Sequence, residues 1–296
     1  TVTTADGAVV AAPTLLQSYV VFANPAAFEA AGVELPTGDT LAWDDFQAAA
    51  EALTTDDAYG VGWGLRSPTA TIMSLSLGFG GEFFTTDGDE TTIEVGDAEM
   101  EVPNRIQQMA YETLSLDPVT LTQSGSEVLP GFLGGTYAMY VGGNYVAQQL
   151  TEGAPEDFEW VVLPPLAGSE GAMQAANPQT LSVSADSEHP AEAAQFIDFY
   201  MQAANLAAVA EGDWLIPASA PARDALVEST GGENGWAEIL VSGESLVAAP
   251  FQSVAAYPQW KDQIATPAYQ QYFANQLGAE DLQAQLTDGW EQVAGR

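Results

Sequence analysis

The chemistry open to this chain is narrowed first by what it holds once or not at all. Its one histidine, His189, would have to serve any imidazole-dependent nucleophilic triad. It stands directly before Pro190 at a helix start, which is the place of a surface or capping residue. There is no cysteine, so disulfides and thiolate metal sites are excluded. No phosphate-cradling glycine loop ending in Gly-Lys-Ser/Thr, no metal-spaced histidine cluster and no EF-hand loop is present, and Asp87-Gly88-Asp89 reads as a solvated turn ahead of a Ca²⁺ site. Paired carboxylates could cleave glycosidic bonds, but 41 acidic residues create so many chance pairs that spacing stops being diagnostic. No metal or other cofactor is therefore expected. What remains is recognition by flat rings and polar groups. Trp214, between Gly212-Asp213 and Ile216-Pro217, is flanked by turn residues and so placed to face a cleft, while Trp63, in a glycine-flanked run, reads either as a core ring or as one a ligand approaches.

Those 41 acids stand against five basic residues, a formal charge of -36. The acids are spread among Trp, Phe, Tyr and Val along the whole chain, which is the pattern of a folded protein with an acidic surface and unlike a disordered acidic tail. Such a surface repels nucleic acid and anionic membranes. Self-repulsion weakens a compact state at low salt, whereas molar salt shortens the screening length to about 3 Å; a halophilic source is expected, with an acid-tolerant secreted protein as the alternative.

The elements that must carry these residues alternate in type. Residues 7–13 and 19–23 read as strands, the first closed by Pro13, and 26–31 as a short helix ended by Gly32. Trp43, Phe46, Ala50 and Leu53 mark one face of a longer helix. Residues 59–65 form a strand rich in glycine, where backbone or ligand must approach closely. Further strands are expected at 137–141, 158–163 and 181–184, and further helices at 102–114, from Pro190 with a stripe of Ala193, Phe196, Ile197, Tyr200 and Met201, and at the end with a seam of Leu282, Leu286, Trp290 and Val293. The alternation implies an α/β protein with largely parallel sheets. No apolar run has membrane-spanning length, and no leader is present in the residues given.

Read in order, several segments resemble the extracellular solute-binding proteins that include maltose-binding protein. Ser18-Tyr19-Val20-Val21-Phe22 and Asn24-Pro25-Ala26-Ala27-Phe28 match a Ser-Tyr-apolar run followed by Asn-x-x-x-Phe, and Ala42-Trp43-Asp44-Asp45-Phe46 matches a helix start. Then come Tyr59-Gly60, Gly80-Gly81 with Asp87-Gly88, the stretch from Phe132 through Ala138-Met139 to Gly143-Asn144-Tyr145, the Leu-Pro-Pro-Leu element at 163–168, the helix from Ser187 to Phe196, and the turn at 214–218. Each piece alone is weak; eight in the correct order are specific.

The resemblance implies a two-lobe, type II periplasmic-binding-protein-like α/β fold whose second lobe is nearly complete and whose first lacks its N-terminal strands. Residues 1–17 and 181–228 would be the remainder of the first lobe, and 18–180 and 229–296 the second, with crossings near 14–18, 176–180 and 224–233. It implies an extracellular or cell-surface component of an ABC importer, anchored through a missing N-terminal segment, monomeric, delivering its solute to membrane permease subunits and binding no nucleic acid. Sugars offer apolar ring faces and a rim of hydroxyls, so their sites pair aromatic platforms with amides or carboxylates. Tyr145 stands where the family places a stacking aromatic, and Tyr257 and Trp260, bracketing Pro258, where it supplies a further wall. Gln17 and Ser18 fall at the first crossing, Asn177 and Gln179 at the second, and Asn144 and Arg66 border the cleft from the second lobe, although Arg66 equally suits a surface ion pair. Few basic residues are available for an anion, so a neutral mono- or oligosaccharide is expected. A secreted carbohydrate-active hydrolase and a binding protein for a cationic ligand such as a polyamine stay open as alternatives.

Overall fold

Proline and glycine punctuate this chain, and the structure shows which of them end an element and which are absorbed into one. The computed structural model describes residues 2–3, 7–88 and 90–294, so Asp89 of the Asp87-Gly88-Asp89 turn lies outside the described residues. Its contacts gather the chain into two compact units: Thr1–Ser18, Gly143–Ala154 and Ala176–Glu244 in the smaller, and Tyr19–Gly142, Pro155–Ala175 and Ser245–Arg296 in the larger. The changeovers at Ser18/Tyr19 and Ala175/Ala176 adjoin the first two expected crossings; the last falls at Glu244/Ser245, beyond 224–233, and Gly143–Ala154, expected in the larger lobe, clusters with the smaller one.

In the smaller unit the strand Val9–Gln17 pairs antiparallel with Val2–Thr3, Asn177–Leu181 and Ile216–Pro217. This corrects the expectation of largely parallel pairing: alternation implies parallel neighbours only where a helix returns the chain to the same sheet, and here the partners come from distant segments. Pro13, expected to close the strand, lies inside it opposite Thr180, beside a break in register between Pro178 and Thr180, where a missing N–H is tolerated. The same pairing draws the strand expected at 181–184 back to Asn177–Leu181. Leu15, Ile216, Leu206, Leu226 and Ile239 are fully buried and form the core of this unit. The helix Pro190–Tyr200 buries no residue, and Phe196 and Phe199 are 58% and 56% exposed; an apolar stripe reports the capacity to be covered, not the presence of a cover.

In the larger unit the sheet runs in the order Tyr59–Trp63, Tyr137–Gly143, Tyr19–Ala23, Val161–Val162. The first pair is parallel and the last antiparallel. Helices Trp43–Leu53, Asp97–Tyr111 and Ala279–Ala294 pack around one core, the last burying Leu282, Leu286, Trp290 and Val293. The glycines of the Tyr59–Trp63 strand answer to protein neighbours: a Cβ on Gly60 would overlap the Ala50 carbonyl oxygen, and one on Gly62 the Tyr137 ring. The Tyr269 hydroxyl is completely buried and has no hydrogen-bond partner among the described residues. No helix among the described residues is long and apolar enough to cross a membrane.

Two substitutions follow with opposite signs. Gly60→Ala meets rigid backbone that no rotamer change can relieve and should destabilise the protein by about 2 kcal/mol. Tyr269→Phe removes only an unsatisfied polar atom and should leave stability unchanged or raise it by up to about 1 kcal/mol. Urea unfolding of both variants beside the parent checks the pair.

Candidate functional site

Antiparallel pairing places Gln17 directly opposite Asn177, and residues so paired project from the same face of a sheet. Gln179 lies two residues further along, within the break in register, where the Thr14 hydroxyl donates to the Gln179 carbonyl at 3.2 Å. Three amides thereby come to one face, and they line a cavity of about 310 Å³ within the smaller unit. Tyr145, at the start of the helix Val146–Gly153 and 41% exposed as a residue, contributes a ring, and Gln148 follows one turn later. Asp213 closes the helix Ala203–Asp213, and Leu215 and Pro178 supply apolar wall. Burial, and after it the charge of Asp213, raises the Tyr200 hydroxyl above its ordinary range. The Gln17, Asn177 and Gln179 side chains make no hydrogen bond to other described residues, so each keeps two N–H donors and a carbonyl for whatever enters. No cationic side chain lines the cavity.

Behind this surface lies a buried brace. Asn144 is fully buried; its Oδ1 accepts the Ser18 N–H at 3.1 Å, its Nδ2 donates to the Trp214 carbonyl at 2.8 Å, and its own N–H donates to the Ser18 carbonyl at 3.0 Å. Ser18 is buried as well. Its hydroxyl lies 2.7 Å from that of Ser242, which donates to the Ile239 carbonyl, so Ser18 is the donor of the pair. Trp214 ends its helix in the left-handed region at φ 53°, with its ring stacked on Trp236 at 4.6 Å and 8°. Asn144, Ser18 and Trp214 were expected to border a ligand; the structure buries all three, with the Asn144 side chain bonded to the Ser18 N–H and the Trp214 carbonyl and the Ser18 hydroxyl bonded to Ser242.

In the larger unit Trp63 stacks on Trp43, and Trp260 is fully buried with its indole N–H donated to the Leu286 carbonyl at 3.0 Å. Trp63 thus takes the core-ring alternative of its two sequence readings, and Trp260, one of the two rings bracketing Pro258 expected as a further wall, is a core ring. Tyr257 is half-buried against Phe84, Phe251 and Trp260, and burial raises its hydroxyl. Arg66 pairs with Glu127 at 2.6 Å and donates to the Thr122 carbonyl, the surface ion pair that was its alternative reading. The cavity therefore unites Gln17, Tyr145, Asn177 and Gln179 and adds Gln148, Asp213, Leu215 and Pro178, which the sequence reading had not singled out. Gln148 carried one signal, its i+3 spacing from Tyr145. Among the described residues no group of three or more His, Cys, Asp or Glu could hold a metal ion.

Residues 2–207 match the family model of bacterial extracellular solute-binding proteins. The chain is 39% identical over 286 residues to an uncharacterized lipoprotein in the oleD 5' region of Streptomyces antibioticus, covering 95% of this chain and 62% of that protein. It thus spans about 62% of the length of that curated relative. Among solved structures it superimposes on the ABC substrate-binding protein Lmo0181 of Listeria monocytogenes in complex with cycloalternan (TM-score 0.80, 21% identity, 99% of this chain and 73% of that one). It also superimposes on the GacH receptor of Streptomyces glaucescens, solved unliganded and with acarbose (0.79, 19%, 98% and 72%). Maltose-bound MalE3 of T. maritima gives 0.76 at 14% identity over 98% and 74%. These likenesses establish the two-lobe, type II periplasmic-binding-protein fold.

The Arg66 pair has a pH signature. Glu127 is held at about 2 by hydrogen bonds first from the Ser124 hydroxyl and backbone and then from Arg66. A depressed carboxyl stabilises the fold above its unfolded pKa, and that contribution fades as pH falls toward about 2. NMR titration should show the Glu127 midpoint rising further in Ser124→Ala than in Arg66→Ala.

Proposed function

Because the chain belongs to the family of bacterial extracellular solute-binding proteins, we propose that it is the sugar-binding component of an ABC importer and that it holds a neutral mono- or oligosaccharide in the cavity of the smaller unit. The observation that carries this is the lining: four amides, one carboxylate and an exposed tyrosine ring, with no cationic side chain. Amides offer donors and acceptors together, matching hydroxyls that both give and accept. The carboxylate accepts from hydroxyls, and the ring presents a flat face for the C–H surface of a pyranose. An anionic solute would meet no Arg or Lys to clamp it. Lmo0181, GacH and MalE3, which share the fold, are described with cycloalternan, acarbose and maltose.

On this reading the protein is a binding protein and not an enzyme: it makes and breaks no bond, acts as a monomer without cofactor, and favours by its differential affinity the state that the permease recognises. A lipid anchor would suit it, as its relative is named a lipoprotein. A cationic solute such as a polyamine is the second reading, because Asp213 and Tyr145 line the same cavity. The charge of -36 supports a role in concentrated salt, where screening relieves self-repulsion.

Thermal shift and calorimetry on the full-length protein, with maltose, acarbose, glucose and spermidine, test the assignment. A saccharide should raise Tm and be recovered unchanged, and Tyr145→Ala or Gln179→Ala should weaken it by about tenfold or more. Response to spermidine alone would establish the second reading, consumption of the sugar would show a hydrolase, and no response to any compound would sink the assignment. Separately, the urea midpoint should rise as KCl increases from about 0.1 to about 2 M; a flat or falling midpoint removes the salt proposal.

A further inference from the structure

Resting on the sugar-site reading above, we infer that Gly143 and Asn144 are positioning residues: neither forms part of the cavity lining, yet together they set its affinity by fixing the three arms that carry its contacts. The first arm ends at Gln17, the second is the Tyr145 turn, and the third is Asp213-Trp214-Leu215. Asn144 reaches all of them. Its Oδ1 and backbone N–H grip the N–H and carbonyl of Ser18, the residue after Gln17. Its Nδ2 grips the carbonyl of Trp214, between Asp213 and Leu215, and Tyr145 is its chain neighbour. Trp214 occupies a left-handed conformation that is costly for any residue with a side chain and persists only where the surroundings impose it; the hydrogen bond that Asn144 Nδ2 donates to its carbonyl is such a constraint.

Gly143 acts by what it lacks. A Cβ there would overlap the Tyr145 ring and come within 2.9 Å of the Gln17 Nε2. Only a bare Cα lets the ring and the amide lie side by side, which is the juxtaposition that a stacked, hydrogen-bonded sugar requires. The two residues therefore govern different arms. Asn144→Asp keeps the bond to Ser18 but sets a second oxygen against the Trp214 carbonyl, loosening the third arm; Gly143→Ala leaves that arm intact and displaces Tyr145.

The test is calorimetry with maltose and acarbose on the full-length protein, its Asn144→Asp, Gly143→Ala and Tyr145→Ala variants, and Leu226→Ala, a core truncation in the same unit outside the cavity lining. At a temperature where circular dichroism shows every variant folded, Asn144→Asp and Gly143→Ala should each weaken binding by about tenfold or more. Leu226→Ala should lower Tm but hold Kd within about twofold. Gly143→Ala should cost less in the Tyr145→Ala background than alone, because its closest overlap is with that ring, the remainder falling on the Gln17 amide. If the parent binds and these two variants match it, or weaken no more than Leu226→Ala, the positioning role is overturned while the sugar-site reading stands. If the parent binds neither sugar, that reading fails for these sugars and this inference falls with it.

Discussion

The organisation of the smaller unit depends on one pairing, the antiparallel match of Val9–Gln17 with Asn177–Leu181. It joins segments far apart in sequence, and by setting Gln17 against Asn177 it decides that their amides share a face. A slip of one residue would turn that face over and carry the amides away from the cavity. The break in register beside Pro178 holds Gln179 in place, with the Thr14 hydroxyl occupying its carbonyl. Irregular pairing of this kind commonly re-aims a side chain next to a site.

Buried amides secure the same stretch of chain in both units. In the smaller, Asn144 grips the backbone of Ser18. In the larger, the buried side chain of Gln174 accepts from the Tyr19 N–H at 2.8 Å and donates to the Tyr19 carbonyl at 2.9 Å. Consecutive residues are thus held by separate amides, each satisfied on both its donor and its acceptor side. A fully satisfied buried network rigidifies and specifies, whereas a half-satisfied one would destabilise. Neutral amides do this without the desolvation cost of charges.

Charge is kept to the periphery with few exceptions. Arg105 is enclosed by Asp44, Glu101 and Gln47 and lies over the Phe79 ring; Arg66 pairs with Glu127 and Lys261 with Asp262; and Arg223 donates to the Pro217 carbonyl. Glu99, a buried acid, is met by the backbone N–H groups of Gly96, Glu82 and Phe83. The four described Lys and Arg side chains are thereby engaged in structural contacts, and the cavity keeps one carboxylate among amides. That separation lets a surface of extreme acidity coexist with a cavity lined mainly by neutral amides.

Composition, local spacing and motif order alone determined the acidic surface, the scarcity of cations, the terminal helix seam and the match to the family, because each is read from residue counts, short-range periodicity or linear order and needs no contact between distant segments. Spacing also marked Gln17, Tyr145, Asn177 and Gln179 through the resemblance, but could not show that they meet. Tertiary structure decided that Asn144, Ser18 and Trp214 turn inward, that Trp63 and Trp260 are core rings, and that the first sheet is antiparallel. The physical reason is common to all of these: periodicity tells which face of an element is apolar, whereas its cover and its hydrogen-bond partners come from segments that only the folded chain brings near.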